Sequence, residues 1–417
     1  MKKKYNPLLL SGFFLLASCQ EFAIQGIPGS LFSNTSDSQR QFVLPGEYEP
    51  IDAVMVSEHL ATFRNGQEFM KALMDAKTDV WLLASRVPQV HQTRLLMQQR
   101  FRLSAEEIKL VKPLPVLTQT VWARDWAPLM AKNTLNPSLW GLVDLKYYPD
   151  RSVDDASAER LTDVLNQHPP HLGWSTSAVP QFQRLPVPVE LEGGNVMCNR
   201  QHCFVSEEVL FRLEERGETP DEAQIIAALE TYLQQEFWIV PRMPFEGTGH
   251  IDIWAKFLSP TQVIVGEISD ESMDLIPAEQ AAAYRAVQQF LDEQATGVDR
   301  SGATVPNALA TVLEREAPEV EILRIPMPTP GVYRGVETFR TYTNSLFVNK
   351  TAIVPRYQRG SRAERNNRDL MREQEQAVEA IYRKAGFDVK WILADNLIRD
   401  GGAWHCVSMQ VPDLIAE

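Results

Sequence analysis

Cys406 stands four residues past a glycine pair in Gly401-Gly402-Ala403-Trp404-His405-Cys406, and far upstream Gly249-His250-Ile251-Asp252 offers an imidazole and a carboxylate two residues apart. A thiol on a glycine-supported turn, with a histidine and acids elsewhere in the chain, is the set a cysteine-nucleophile enzyme needs. The thiolate attacks and the imidazole moves protons. Asp125 lies among aromatic residues in Trp122-Ala123-Arg124-Asp125-Trp126-Ala127-Pro128, and Glu192 precedes another glycine pair in Glu192-Gly193-Gly194-Asn195. A carboxylate partly desolvated among aromatic rings is costly unless a cation meets it. Asp125 and Trp122 therefore read as one wall of a cation pocket. The surplus of carboxylates around the thiol points to a cationic substrate. His405 points away from Cys406 if the segment is extended, and it reads as a packing or local hydrogen-bonding residue.

The segments that must position these groups share one grammar: a polar or glycine-containing motif, an apolar strand, a tight turn and a second apolar strand. It recurs from Trp122, Glu192, Gly249 and Tyr342. Helical periodicity intervenes at 66–76, 221–235, 278–294 and 363–384. Strands alternating with helices imply an α/β repeat architecture. In 249–258 an extended strand would place Ile251, Ile253, Ala255 and Phe257 on one face and His250, Asp252, Trp254 and Lys256 on the other.

The ordered motifs Trp-Ala-Arg-Asp-Trp-Ala-Pro, Glu-Gly-Gly-Asn, Gly-His-Ile-Asp, Tyr-Thr-Asn-Ser (342–345) and Gly-Gly-x-x-His-Cys resemble the agmatine deiminase and Porphyromonas-type peptidylarginine deiminase group of the pentein superfamily. Phe42-Val43-Leu44-Pro45-Gly46-Glu47-Tyr48-Glu49-Pro50 resembles the group's entry strand, so the likeness runs from about Phe42 to Pro412. The resemblance implies an α/β propeller of five modules about a pseudo-fivefold axis. It implies Cys406 as nucleophile, His250 as general acid/base, and Asp125 and Asp252 as the carboxylates that grip a guanidinium. It further implies Glu192 as the acid orienting His250, and Asn344 as a residue lining the site. That chemistry needs no metal or redox cofactor.

The tract 143–155 resembles the loop with which the peptidylarginine deiminases bind a terminal carboxylate through two arginines. Arg151 matches the second, while Pro149 stands at the first; a salt bridge from Arg151 to Asp150, Asp154 or Asp155 is the structural alternative. The expected reaction is conversion of peptidyl or free arginine to citrulline and ammonia. Agmatine, or another small guanidine, is the alternative substrate, and a catalytically dead binding protein on the same fold the third reading.

The ends of the chain and its charge add context. Lys2, Lys3 and Lys4, the short apolar stretch from Leu8 to Leu16 and Leu16-Ala17-Ser18-Cys19 read as a lipoprotein signal over residues 1–18. Cys19 would then be acylated and anchored in a lipid bilayer, by resemblance the outer membrane, with residues 19–41 as a tether and 42–417 as the catalytic domain. A net charge of −13 excludes a nucleic-acid partner that needs a basic footprint. Cys198 and Cys203 flank a short polar turn; a disulfide across a hairpin is expected ahead of free thiols, and zinc would need ligands beyond His202.

Overall fold

The computed structural model describes residues 41–85, 90–174, 179–276, 278–328, 331–333, 336–357 and 368–414. The signal, Cys19 and the tether up to residue 40 lie outside them, as does the start of the helix expected over 363–384.

Five small sheets repeat one plan, an antiparallel pair followed by a helix and a third strand parallel to the second. The first module pairs Leu129–Asn133 with Leu139–Lys146 and returns through the helix Ser157–Asn166 to Gln181–Glu190. The second pairs Val196–Cys198 with His202–Ser206 and returns to Glu236–Val240. The third joins Ala255–Ser259, Gln262–Glu267 and Glu321–Pro326, and the fourth Leu346–Val348, Thr351–Arg356 and Asp388–Leu393. The fifth is assembled from distant parts of the chain. Met409–Pro412 pairs antiparallel with Ile51–Ser57, which is followed by the helix Gly66–Asp75 and the parallel strands Asp79–Leu83 and Val111–Leu114. This is the five-module α/β pentein architecture that the motifs imply.

The strands are short and apolar enough to be buried on both faces, as in Val54–Val56 and Val263–Val265. Helix Gly66–Asp75 buries Phe69, Met70, Leu73 and Met74 along one side, the spacing of an amphipathic helix. The expected helices form with shifted ends, at Glu222–Leu229, Ala281–Thr296 and Arg368–Lys384. The hairpin across Cys198 and Cys203 carries the expected disulfide.

One expectation fails locally, and a second motif is turned in the same way. The Gly-His-Ile-Asp segment is not part of a strand: Ile251–Ile253 forms a 3-10 turn, and pairing starts at Ala255. Its supposed two faces are both buried, and Trp254 packs edge-on against Phe290 at 5.2 Å. Residues Ala123–Trp126 likewise form one helical turn and not an extended segment. In both places a site motif needs side chains aimed by a tight turn, which period-two reasoning cannot anticipate.

Candidate active site

The motif residues sit two to four positions ahead of the first strand of their modules. Asp125 precedes Leu129, Glu192 precedes Val196, Asp252 precedes Ala255, Asn344 precedes Leu346 and Cys406 precedes Met409. A repeated module therefore delivers five different side chains to one centre. Trp122, Asp125, Glu192, His250 and Cys406 line a cavity of about 310 Å³, together with Tyr147, Tyr148, Asp150, Arg151, Thr248 and Asp400.

At its floor, Cys406 Sγ, a ring nitrogen of His250 and a carboxylate oxygen of Asp252 lie within 4.8 Å of one another. One carboxylate oxygen each of Asp125 and Glu192 and one ring nitrogen of His250 meet the same limit. Glu192 Oε2 holds His250 Nε2 at 2.8 Å, leaving Nδ1 without a partner at hydrogen-bond distance. Glu192 is itself gripped by Arg212. Asn344 Nδ2 donates to Cys406 Sγ at 3.2 Å. Its segment is fastened to the His250 turn by Thr341 Oγ1 donating to the Ile253 carbonyl at 2.6 Å and Thr343 Oγ1 to that of Asp252 at 3.0 Å. Asp125 Oδ1 and Asp252 Oδ1 are both buried and without hydrogen-bond partners, His250 Nδ1 lying 3.9 Å from Asp252 Oδ1. The two glycine pairs are explained by crowding. A Cβ on Gly194 would lie 2.4 Å from His250 Nδ1, and one on Gly402 would lie 2.7 Å from both Cys406 Cβ and Trp122 Cζ3.

The electrostatics follow from burying this many acids together. Burial, with the Glu192 charge adding to it, holds Asp125 well above the usual carboxylate range. Burial opposes ionisation of Glu192 too, but the facing His250 and Arg212 outweigh it and bring Glu192 to about 2. Burial alone would lower His250; the Glu192 carboxylate overcomes it and raises the imidazole well above its ordinary value. Burial also pushes the Cys406 thiol up to about 11, reinforced by the Asp252 charge and only partly countered by His250. These shifts favour a neutral thiol beside an imidazolium, and the carboxylate oxygens without hydrogen-bond partners make the centre complementary to a cation.

That balance gives a pH-dependent expectation. With the thiol raised toward about 11, its neutral form predominates at pH 7 and the thiolate fraction grows as pH rises. Alkylation of Cys406 by neutral 2-chloroacetamide should therefore be slow at pH 7 and rise steadily toward pH 10. The near-isosteric cation 2-chloroacetamidine should react about 10- to 1000-fold faster at pH 7, relative to free cysteine, because an opposite charge beside the thiol favours its ionised form. Rates measured by mass spectrometry across pH check this; equal normalised rates would refute the cation clamp.

Among the sequence candidates, Cys406, His250, Asp125, Asp252, Glu192, Asn344, Trp122 and Arg151 all gather at this centre. Arg151 makes none of its alternative salt bridges among the described residues. Asp154 is taken by the Gln119 amide and the Thr120 hydroxyl, and Asp155 by the Tyr147 amide. The Arg151 guanidinium donates to Tyr147 Oη at 2.7 Å and lies over the Tyr147 and Tyr148 rings. His405 does more than pack: its Nδ1 meets Asp252 Oδ2 at 2.6 Å. Glu47, Arg212 and the Tyr147–Tyr148 pair were not legible as site residues, since each reaches the centre only through the fold.

A five-module propeller with a thiol, an imidazole and unpaired carboxylates converging at one end of its axis defines a pentein-type hydrolase of guanidino C–N bonds. The chain belongs to the Porphyromonas-type peptidyl-arginine deiminase family, which matches residues 43–412. A Lactococcus lactis protein assigned as an agmatine deiminase is 24% identical over 393 residues, covering 91% of this chain and 97% of its own. The fold is shared with the agmatine deiminase of Enterococcus faecalis (19% identity, TM-score 0.62, covering 92% of this chain and 99% of that one). It is also shared with a Porphyromonas gingivalis protein assigned as an arginine deiminase (16% identity, TM-score 0.64, 89% and 99%).

Proposed function

We propose that this guanidino deiminase acts through Cys406 on a small monosubstituted guanidine of the agmatine type. The observation that carries the guanidine reading is the pair of buried, unpartnered carboxylate oxygens, Asp125 Oδ1 and Asp252 Oδ1, beside the thiol. A planar cation with paired N–H donors satisfies both and aims its central carbon at Sγ. Its charge releases the protons of Asp125 and Cys406 to solvent. The thiolate adds to the guanidinium carbon, giving a neutral tetrahedral adduct. His250, held protonated by Glu192, donates a proton to one amino group, which leaves as ammonia, and an S-linked thiouronium cation remains. The now neutral His250 takes a proton from water as the water's oxygen adds to the same carbon. Collapse expels the Cys406 thiolate, the hydroxyl proton of the adduct passes to solvent, and the neutral ureido product is released.

The agmatine-type reading is supported by the names of the relatives and by Asp150 and Asp400, exposed carboxylates lining the cavity that would face a distal ammonium. Arginine, free or at a peptide end, is the second reading; Arg151 favours it, as a guanidinium with no carboxylate partner among the described residues on the same wall. Ammonia release from agmatine, free arginine, and peptides with free or amidated terminal arginine decides between them. Should arginine be the substrate, Arg151→Ala lowers kcat/KM for free termini by about 10- to 150-fold, the worth of one charge-assisted pair of ~1.5–3 kcal/mol. Agmatine and amidated peptides would then be unaffected. Agmatine turnover that exceeds all others and is insensitive to Arg151→Ala supports the first reading.

We further propose that the enzyme is exported and anchored through an acylated Cys19. The reading is supported by the sequence of residues 1–19 and by the Cys198–Cys203 disulfide, a bond that persists in oxidising compartments. No helix of the described residues is long and apolar enough to cross a membrane. Wild type should partition with membranes and carry acyl mass on Cys19, and Cys19→Ala should abolish both; a mature N-terminus elsewhere would refute the reading.

A further inference from the structure

We propose that Glu47 is the shared positioning residue of the catalytic centre, setting Asp252 through His405 and the Asp125 turn through Arg124. The proposal rests on the guanidine-clamp reading above. Glu47 belongs to none of the catalytic motifs, yet two of them, and the strand that follows a third, send a polar side chain to it. Arg124, immediately before Asp125, donates from Nη1 to Glu47 Oε1 at 2.7 Å. Lys256, four residues past Asp252, donates to Oε2. His405, immediately before Cys406, brings Nε2 to within 2.8 and 2.9 Å of the two carboxylate oxygens.

The other face of the same imidazole meets Asp252 Oδ2 at 2.6 Å. His405 is thus a rod fixed at both ends, and of the Asp252 oxygens it holds one and leaves Oδ1 free for the substrate. Arg124 is 2% exposed, and its second nitrogen donates to Gln410 Oε1 at 3.2 Å. Gln410 Nε2 in turn holds the Glu47 carbonyl at 2.8 Å. Burial opposes the Glu47 charge, but Arg124, His405 and Lys256 together keep the carboxyl well below its ordinary range. One anion therefore locks the neighbours of Asp125, Asp252 and Cys406 into a single register. A group that served stability alone would not need to touch the sequence neighbours of the clamp acids and the nucleophile.

The test reads the concentration of 2-chloroacetamidine that half-saturates alkylation of Cys406. Only folded molecules saturate, and the value does not depend on how many are folded. Glu47→Gln and His405→Phe should each raise it at least tenfold. His405→Asn, whose amide N–H can stand where ring Nδ1 stood and reach Asp252, should recover part of the loss. Saturation unchanged in His405→Phe, or in folded Glu47→Gln, overturns the proposal, as does His405→Asn performing no better than His405→Phe. Should Glu47→Gln fail to fold, Glu47→Gln with Lys256→Met removes one cation that the lost charge would strand and is held to the same outcome. Wild type that does not saturate at all would instead sink the guanidine clamp itself, so the two failures are distinguishable.

Discussion

Cys406→Ala should reduce ammonia release by on the order of 10⁵-fold, the scale seen when a covalent nucleophile is removed from a site whose other parts remain. The thiol is buried, faces His250 and Asn344, and lines the cavity floor, so no neighbouring group can replace it. Alanine leaves the fold and both clamp carboxylates in place. A guanidine substrate should still bind the variant, and binding with turnover lost separates the chemistry from recognition. Denatured, mass-analysed wild type trapped during turnover should carry a substrate-derived amidino adduct on Cys406. Activity in the alanine variant within about tenfold of wild type would overturn the assignment, because background binding effects alone cannot span the gap.

His250→Ala and Asp252→Asn should both cripple the enzyme but for opposite reasons. In the proposed mechanism His250 moves the protons, so its loss should lower kcat by about 10²- to 10⁴-fold with little change in substrate affinity. Asp252 contributes one charged acceptor to the clamp. Its neutralisation removes a charge-assisted bond worth ~1.5–3 kcal/mol, and the affinity for guanidine should fall by about 10- to 150-fold. The same substitution relieves part of the charge that keeps the thiol neutral. Neutral alkylation of Cys406 should therefore become faster in Asp252→Asn while cationic substrate binds more weakly. Equal loss of affinity in the two variants would contradict the separate roles.

The residues that do chemistry were readable because each lies inside a short motif with local requirements: glycine where a Cβ would collide with His250 or Cys406, and acids where aromatic side chains remove water. What was hidden depends on distances along the chain. Glu47 meets His405 across 358 residues, and the entry-strand resemblance that contains it gave it no role at the site. Arg212 sits on an amphipathic helix like any surface cation, yet it neutralises Glu192 inside the protein. The strand expected at Gly249–Leu258 forms only from Ala255 for a related reason: period-two patterning loses its meaning where both sides of a segment are buried. The repeat plan itself was legible from the recurring order of motif, strand, turn and strand, because each module solves the same packing problem.

The fifth module sets the timing of assembly. Its sheet joins Val411 to Ala53, so the ring closes only when segments made early and late in synthesis meet. Cys406 lies three residues ahead of that closing strand, and Glu47 four ahead of its partner strand at Ile51. The sequence separation of these contacts is close to the largest the fold contains, and such high contact order makes folding slow. The nucleophile can meet His250 and Asn344 only once the last-made segment of the chain has joined the modules that hold them. Until then the thiol is an ordinary exposed cysteine with no clamp beside it. Partly made chains cannot attack the guanidines around them, and a break in the closing strand should silence the enzyme as completely as loss of the sulfur.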